Sequence, residues 1–155
     1  MRSWQEERTG IKNFWRIDWG DRATWARSSV NTFWCLVGCS IGDMGTILFF
    51  QATGIPWPVL AIMALAVVNG IITSIVLETC ILLRQMPFRA ALKTAAGMSL
   101  ISMISMEIAM NAVDVGITGG ARLTLGVLPA MWAAGFVTPL PYNYWRLKAL
   151  GEACH

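Results

Sequence analysis

Acidic side chains lie inside three long apolar stretches of this chain. Glu107 is the clearest case, because it falls within an apolar run from residue 95 to residue 113, and Asp43 and Glu78 lie in two other runs. Burying a carboxylate in hydrocarbon costs at least about 2.5 kcal/mol on insertion scales, so an acidic group at membrane depth indicates a functional site by default. The three carboxyl groups therefore predict a polar interior within a membrane bundle.

Cys35, Cys39 and Asp43 are spaced four residues apart, which places them along one face of a helix. Thiolates and a carboxylate can hold a transition metal, and the soft sulfurs favour copper(I) or zinc. Packing is the better explanation for the two thiols alone, because cysteine packs as a small apolar residue and Gly38 with Gly42 forms a close-approach pattern. Packing does not explain the carboxyl group of Asp43, and its presence therefore favours a metal site.

A stripe of methionines shares a helix face with Glu107. The stripe consists of Met103, Met106, Glu107, Met110, Asn111 and Asp114. Methionine stripes more often form a core than a site. Thioethers beside a carboxylate and an amide nevertheless resemble the lining of a site for a soft cation, and the presence of Glu107 and Asn111 favours that interpretation.

The helical rise of about 1.5 Å per residue predicts how deep these groups lie. It places Asp43 at the level of Glu107 and Asn111, Asn69 near the centre, and Glu78 close to Cys35 on the opposite side. Such a polar ladder suits the transit of a cation or a proton. Carboxyl groups held protonated and hydrogen-bonded between helices are the alternative.

The composition is that of a membrane protein. Of 155 residues, 55% are hydrophobic and 14% are charged, against roughly 25% charged residues in soluble domains. The net charge of +3 does not predict nucleic-acid binding, since the basic residues flank apolar spans. No P-loop, Rossmann or HExxH pattern occurs and the single histidine is the last residue, so we do not expect an enzyme.

Four stretches are long enough to cross a bilayer as helices. They are residues 30–52, 57–83, 90–113 and 123–140. The sequence thus predicts an all-α, four-transmembrane-helix bundle over residues 30–155. Lys and Arg gather at the N-terminus, between the second and third spans, and at the C-terminal end, which predicts that both termini are cytoplasmic.

Residues 1–29 form an amphipathic segment rich in Trp and Arg. Trp4, Trp15, Trp19 and Trp25 alternate there with charged residues, as in the headgroup layer of a membrane. We expect a surface anchor, with a partner-docking arm as the alternative. At the other end, Cys154 and His155 make only a weak candidate metal site.

Three segments resemble a known family. They are Cys35-Leu-Val-Gly-Cys39-Ser-Ile-Gly-Asp43, Ser105-Met-Glu107-Ile-Ala-Met-Asn111, and Pro141-Tyr-Asn-Tyr-Trp145-Arg-Leu-Lys with the final Cys-His. Together they look like the motifs of the bacterial membrane proteins grouped as DUF4396, a domain of unknown function. The resemblance implies a small multi-span membrane domain, often met in copper-related contexts, without an established activity. We expect the protein in the bacterial inner membrane. A family histidine and glutamate are replaced here by Trp34 and Asp43, which weakens the transfer of a metal site.

These observations predict a membrane protein that binds or translocates a cation, with a transition metal such as copper as the expected ligand. The candidate metal-site residues are Cys35, Cys39, Asp43, Glu78, Met103, Met106, Glu107, Met110 and Asn111. The alternative is a non-transporting partner or structural subunit whose buried polar residues fix helix packing. The expected partners are the lipid bilayer and either a second copy of the chain or another membrane protein.

Overall fold

Five helices follow one another along residues 17–150, the part of the chain that this computed structural model describes, apart from the side chains of Met98 and Leu150. The helices are α1 (Arg22–Thr53), α2 (Val59–Leu82), α3 (Phe88–Thr118), α4 (Leu128–Val137) and α5 (Leu140–Leu150). No strand occurs within these residues. The predicted all-α class is therefore confirmed.

Three helical segments are long and apolar enough to cross a membrane. They are Arg22–Thr53, Val59–Leu82 and Ser99–Thr118. The predicted fourth span, residues 123–140, is not one helix, because α4 ends at Val137 and α5 begins at Leu140. The break lies at Pro139, which has no backbone N–H to donate and whose ring clashes with the preceding turn of a helix.

The ends of α1 follow ordinary capping rules. Asp21 precedes the helix and its Oδ1 accepts a hydrogen bond from the Ala23 N–H at 3.0 Å. Gly54 ends the helix with a φ of 65°, a left-handed conformation that glycine adopts without steric cost. Helix α1 thus begins eight residues before the predicted span at residue 30. The division into a leader and a membrane domain stays a prediction.

Helix α1 packs most extensively on α2. A side chain at Gly38 would place its Cβ 2.6 Å from the Cα of Ser74, and one at Gly42 would run into the backbone of Asn69. The Thr73 hydroxyl donates to the Gly38 carbonyl at 2.7 Å, which fastens the two helices together. The glycine pattern predicted from the sequence therefore serves this close approach.

The described end of the leader packs against α5. The ring of Trp19 stacks on Tyr144 with centroids 5.0 Å apart, and Trp25 lies 4.3 Å from the same ring. Lys148 and Asp21 form an ion pair at 2.7 Å. The hydrogen bond from Lys148 holds the pKa of Asp21 well below its ordinary value, and the same contact raises the pKa of Lys148. The predicted contributions of Trp4, Trp15, Cys154 and His155 lie outside the described residues.

Candidate functional site

Asp43 of α1 and Glu107 of α3 lie next to each other in the interior and form what we call the carboxylate pair. Both side chains are 0% exposed. Their carboxyl groups are close enough for a side-chain hydrogen bond. A carboxylate only accepts hydrogen bonds, so this contact becomes a hydrogen bond only while one of the two groups carries a proton.

The hydrogen bonding of the carboxylate pair is incomplete. The amide of Asn111 donates to Asp43 Oδ1 at 3.0 Å and to the backbone carbonyl of Glu107 at 3.0 Å. Asp43 Oδ2 and both carboxyl oxygens of Glu107 have no donor among residues 17–150. Within the same range no Lys, Arg or His forms an ion pair with either group. These three oxygens therefore lack a nitrogen or hydroxyl donor, and their polar neighbours are each other and the Cys39 thiol.

Helix α2 makes room for Glu107 by presenting bare backbone. A Cβ at Gly70 would run into Glu107 Oε1 and would lie 3.1 Å from the Cys39 carbonyl oxygen. Gly70 therefore positions the carboxylate pair without touching it through a side chain. Sequence reasoning missed this residue, although a glycine inside an apolar helix is a signal of close approach.

A buried group of sulfur-containing side chains includes a thiol that adjoins the carboxylate pair. The Cys39 thiol adjoins the Glu107 carboxyl group, and Met103, Met106 and Met110 are each 0% exposed. They belong to what we call the sulfur cluster, a buried group that consists of Cys35, Leu36, Cys39, Met44, Met103, Met106, Met110, Val127 and Met131. The sequence-based site lacked Met44 and Met131, because a methionine inside a span does not reveal which way it faces.

Helix α4 approaches the sulfur cluster through a glycine. A Cβ at Gly135 would lie 2.7 Å from Met110 Cγ and 2.8 Å from its sulfur. The short helix α4 thus covers the methionine stripe of α3, with Met131 contributing a further thioether to the same cluster. The broken fourth segment is therefore part of the wall around the sulfur atoms.

The described residues do not form a conventional metal site of three or more His, Cys, Asp or Glu side chains. Across the described residues, no group of three or more His, Cys, Asp or Glu is placed so that it could hold a metal ion. A metal held at the carboxylate pair would therefore need ligands of another kind, and the thioethers of the sulfur cluster are soft ligands of that sort.

Asp114 adds negative charge near the carboxylate pair. Its side chain is 0% exposed and acts electrostatically on Asp43. It is held in place by the Arg122 backbone N–H at 3.2 Å and the Thr118 hydroxyl at 3.3 Å. Asp114 thus links the segment that follows α3 to the C-terminal end of α3 through the hydrogen bond from Arg122.

A second acidic centre, the Glu78 cluster of Cys35, Glu78 and Ser99, lies between α1, α2 and α3. The Cys35 thiol donates to Glu78 Oε1, and the Ser99 hydroxyl donates to Glu78 Oε2 at 2.8 Å. Unlike Glu107, Glu78 therefore has a donor on each carboxyl oxygen. The structure thus separates Glu78 from the carboxylate pair, while the five candidate sulfur residues belong to one buried cluster.

Ser74 lies between the two centres. Its hydroxyl donates to the Cys35 carbonyl at 3.3 Å and adjoins the Cys39 thiol. Asn69, expected at this level, instead donates to the Thr46 hydroxyl at 2.8 Å and bonds to neither centre. Ser74 is the residue that a sequence-based ladder missed.

The region that contains both centres corresponds to a known family. The family model described as Domain of unknown function (DUF4396) matches residues 24–152, most of the chain. The chain belongs to the DUF4396 family. No curated protein and no solved structure matches it. Both acidic centres and the sulfur cluster lie within the DUF4396 region, so the buried polar groups are part of the family domain rather than of the leader.

Proposed function

We propose that this DUF4396 protein binds a cation at Asp43 and Glu107 and moves it through the membrane. The observation that carries the proposal is the carboxylate pair itself, two adjoining buried carboxyl groups without a basic partner among the described residues. Two carboxylates in contact cannot both stay ionised unless a positive charge compensates them. A proton or a bound cation supplies that charge.

The neighbouring sulfur atoms favour a soft cation. Cys39 adjoins Glu107, and the thioethers of Met106 and Met110 lie in the same buried cluster. Thiolate and thioether ligands select copper(I) among the common metals, whereas magnesium and calcium prefer oxygen ligands. Copper(I) is therefore the cation to test first. Met103 would line the same site, and Asn111 would orient Asp43.

The membrane arrangement follows from charge and helix length. We propose four spans in the bacterial inner membrane, with residues 123–140, which include α4, as the fourth span and both termini in the cytoplasm. The clustering of Lys and Arg on one side supports this orientation. In that arrangement the Glu78 cluster lies toward the cytoplasm, and Glu78 with Cys35 would form the second stage of the cation route.

One observation favours the alternative of a non-transporting partner or structural subunit. Glu78 already has hydrogen-bond donors on both carboxyl oxygens, so this carboxyl group is satisfied as a link between helices. If Glu107 were satisfied by a shared proton in the same way, the buried polar residues would fix helix packing and nothing would pass.

Copper(I) binding by the detergent-purified protein separates these proposals. The affinity is measured anaerobically by competition with a chromophoric copper(I) chelator for the wild type, Asp43→Asn and Glu107→Gln. We expect each substitution to weaken binding at least about tenfold, because each removes a charged ligand at nearly constant volume. Uptake of copper into proteoliposomes then tests transport by the wild type.

Glu78→Gln is the matched control, because it makes the same change in a buried carboxyl group of the other centre. We expect this variant to keep copper(I) affinity within about twofold while slowing uptake. Equal copper affinity of the wild type, Asp43→Asn and Glu107→Gln, together with lowered thermal stability of the two variants, would support the structural alternative.

A further inference from the structure

A groove of about 460 Å³ runs along the outer face of the α1–α2 hairpin. We call it the lateral groove. Its lining residues are Ile41, Gly42, Gly45, Thr46, Phe49, Phe50, Leu65, Asn69, Ile72 and Thr73. None of the candidate metal-site residues lines it, so the groove is a separate feature of the protein.

The lateral groove contains an amide with unused hydrogen-bonding capacity. Asn69 donates one N–H to the Thr46 hydroxyl at 2.8 Å, and Thr46 in turn donates to the Gly42 carbonyl at 2.7 Å. The second N–H and the Oδ1 of Asn69 have no partner among residues 17–150. Asn69 lies near the middle of α2, which spans Val59–Leu82. An unsatisfied amide at that depth costs several kcal/mol, on the order of 2–7, in hydrocarbon.

The lateral groove also contains a glycine that the single chain does not need. A Cβ at Gly45 would meet nothing within 4 Å, whereas one at Gly42 would collide with α2. The flanking side chains of Ile41 and Phe49 project from the surface, 60% and 56% exposed. Gly45 therefore leaves a gap in the wall of the groove that a projecting side chain or a helix from another molecule could fill.

We propose that a second copy of this chain docks against the lateral groove, with the two copies related by a two-fold axis that brings their Asn69 amides together. A side-chain amide carries both a donor and an acceptor, so two of them can satisfy each other across the axis. Small residues at such an interface let two backbones approach closely, which is the role of Gly45.

Other occupants leave part of Asn69 unsatisfied. A lipid acyl chain has no hydrogen-bonding group, and a quinone carbonyl accepts from the N–H but leaves Oδ1 without a donor. The amide of a second Asn69 satisfies both groups. A two-fold contact also uses the same surface on each copy, so the assembly closes at two chains and leaves one carboxylate pair in each.

Association of fluorescently labelled chains in dilute proteoliposomes tests this dimer, with single-molecule photobleaching as the measurement. We expect two-step bleaching for the wild type. Asn69→Leu and Gly45→Leu should each weaken association at least about fivefold, through the lost amide contact and the filled gap respectively. Open space around Gly45 lets the Gly45→Leu chain fold.

Gly97→Leu is the matched control, because a Cβ at Gly97 also meets nothing within 4 Å but the residue belongs to α3 and does not line the groove. This variant should associate like the wild type.

A lipid-soluble bismaleimide should also link Gly45→Cys chains, and not Gly97→Cys chains, when Cys80 and Cys154 are changed to Ser. Single-step bleaching of the wild type, or unchanged association of Asn69→Leu and Gly45→Leu, would overturn the proposal. Detection of monomers that retain a bound lipid or quinone in mass spectrometry would also overturn the proposed dimer.

Discussion

The carboxyl group of Glu107 occupies the space where a side chain at Gly70 would lie. A Cβ built on Gly70 runs into Glu107 Oε1, and the two residues belong to different helices, α3 and α2. Glycine inside a helix costs about 0.5–1 kcal/mol relative to alanine. The glycine at position 70 is therefore explained by the space that the buried acid needs, and not by helix formation.

We expect Gly70→Ala to displace the Glu107 carboxyl group from Asp43. The overpacked interior should lower the free energy of unfolding by about 1–3 kcal/mol, measured by denaturant titration in mixed micelles. Copper(I) affinity should fall as well, since the two carboxyl groups would no longer adjoin. Chelator competition on the same sample measures that loss.

Gly97→Ala provides the control for this change. It makes the same substitution in a helix, but the added methyl group meets no atom within 4 Å. The variant should be as stable as the wild type or more stable by about 0.5–1 kcal/mol. If Gly70→Ala behaved like Gly97→Ala, the position of Glu107 against α2 would be wrong.

Ser99 and Ser102 allow a direct test of the Glu78 cluster. Both are 1% exposed on α3, but the Ser99 hydroxyl donates to Glu78 at 2.8 Å, while the Ser102 hydroxyl has no partner among the described residues. Ser99→Ala should lower the free energy of unfolding by about 1–3 kcal/mol. Ser102→Ala should be neutral or stabilising. Similar losses in both variants would contradict the hydrogen bond to Glu78.

The sequence predicted the first three helices because apolar length alone identifies them. The predicted spans 30–52, 57–83 and 90–113 lie within or close to Arg22–Thr53, Val59–Leu82 and Phe88–Thr118. Hydropathy joined the fourth stretch into one span, although its prolines, Pro139 among them, indicate an interruption of the backbone hydrogen bonds. Hydropathy measures the side chains, whereas the break depends on the backbone.

The contact between Asp43 and Glu107 was accessible from the sequence because helical rise places both at similar depth. The roles of Gly70 and Ser74 were not, since they depend on the rotation of α2 about its axis. A single sequence gives the faces of each helix but not which face meets which neighbour. The same uncertainty put Asn69 between the two centres, whereas it lies in the lateral groove.

The ion pair between Lys148 and Asp21 predicts a plateau in stability against pH. The hydrogen bond from Lys148 lowers the pKa of Asp21, so its contribution is present above the ordinary carboxyl pKa of about 4 and is lost as the pH falls toward the lowered value. The raised pKa of Lys148 keeps the contribution present below about pH 10.4, and it is lost as the pH rises through the raised value.

Thermal unfolding in detergent between pH 2 and pH 11 measures this plateau, with Lys148→Met as the comparison. The difference in midpoint between the wild type and Lys148→Met should be constant from about pH 5 to pH 9 and should shrink at both ends. Asp21→Asn keeps a side-chain oxygen that can cap α1 and should reproduce the midpoint of Lys148→Met. A difference that grows toward acid pH would contradict the contact.

Asn111 is expected to stabilise the carboxylate pair through Asp43. Its amide donates a hydrogen bond to Asp43 Oδ1 at 3.0 Å. Asn111→Leu removes this donor from a buried carboxyl group and should lower the free energy of unfolding by about 1–3 kcal/mol or more. Asp43→Leu combined with Asn111→Leu removes both partners, which is much less costly than removing one. The double variant should therefore be more stable than Asn111→Leu in a denaturant titration. A double variant with the summed loss of both single variants would show that the two side chains do not interact.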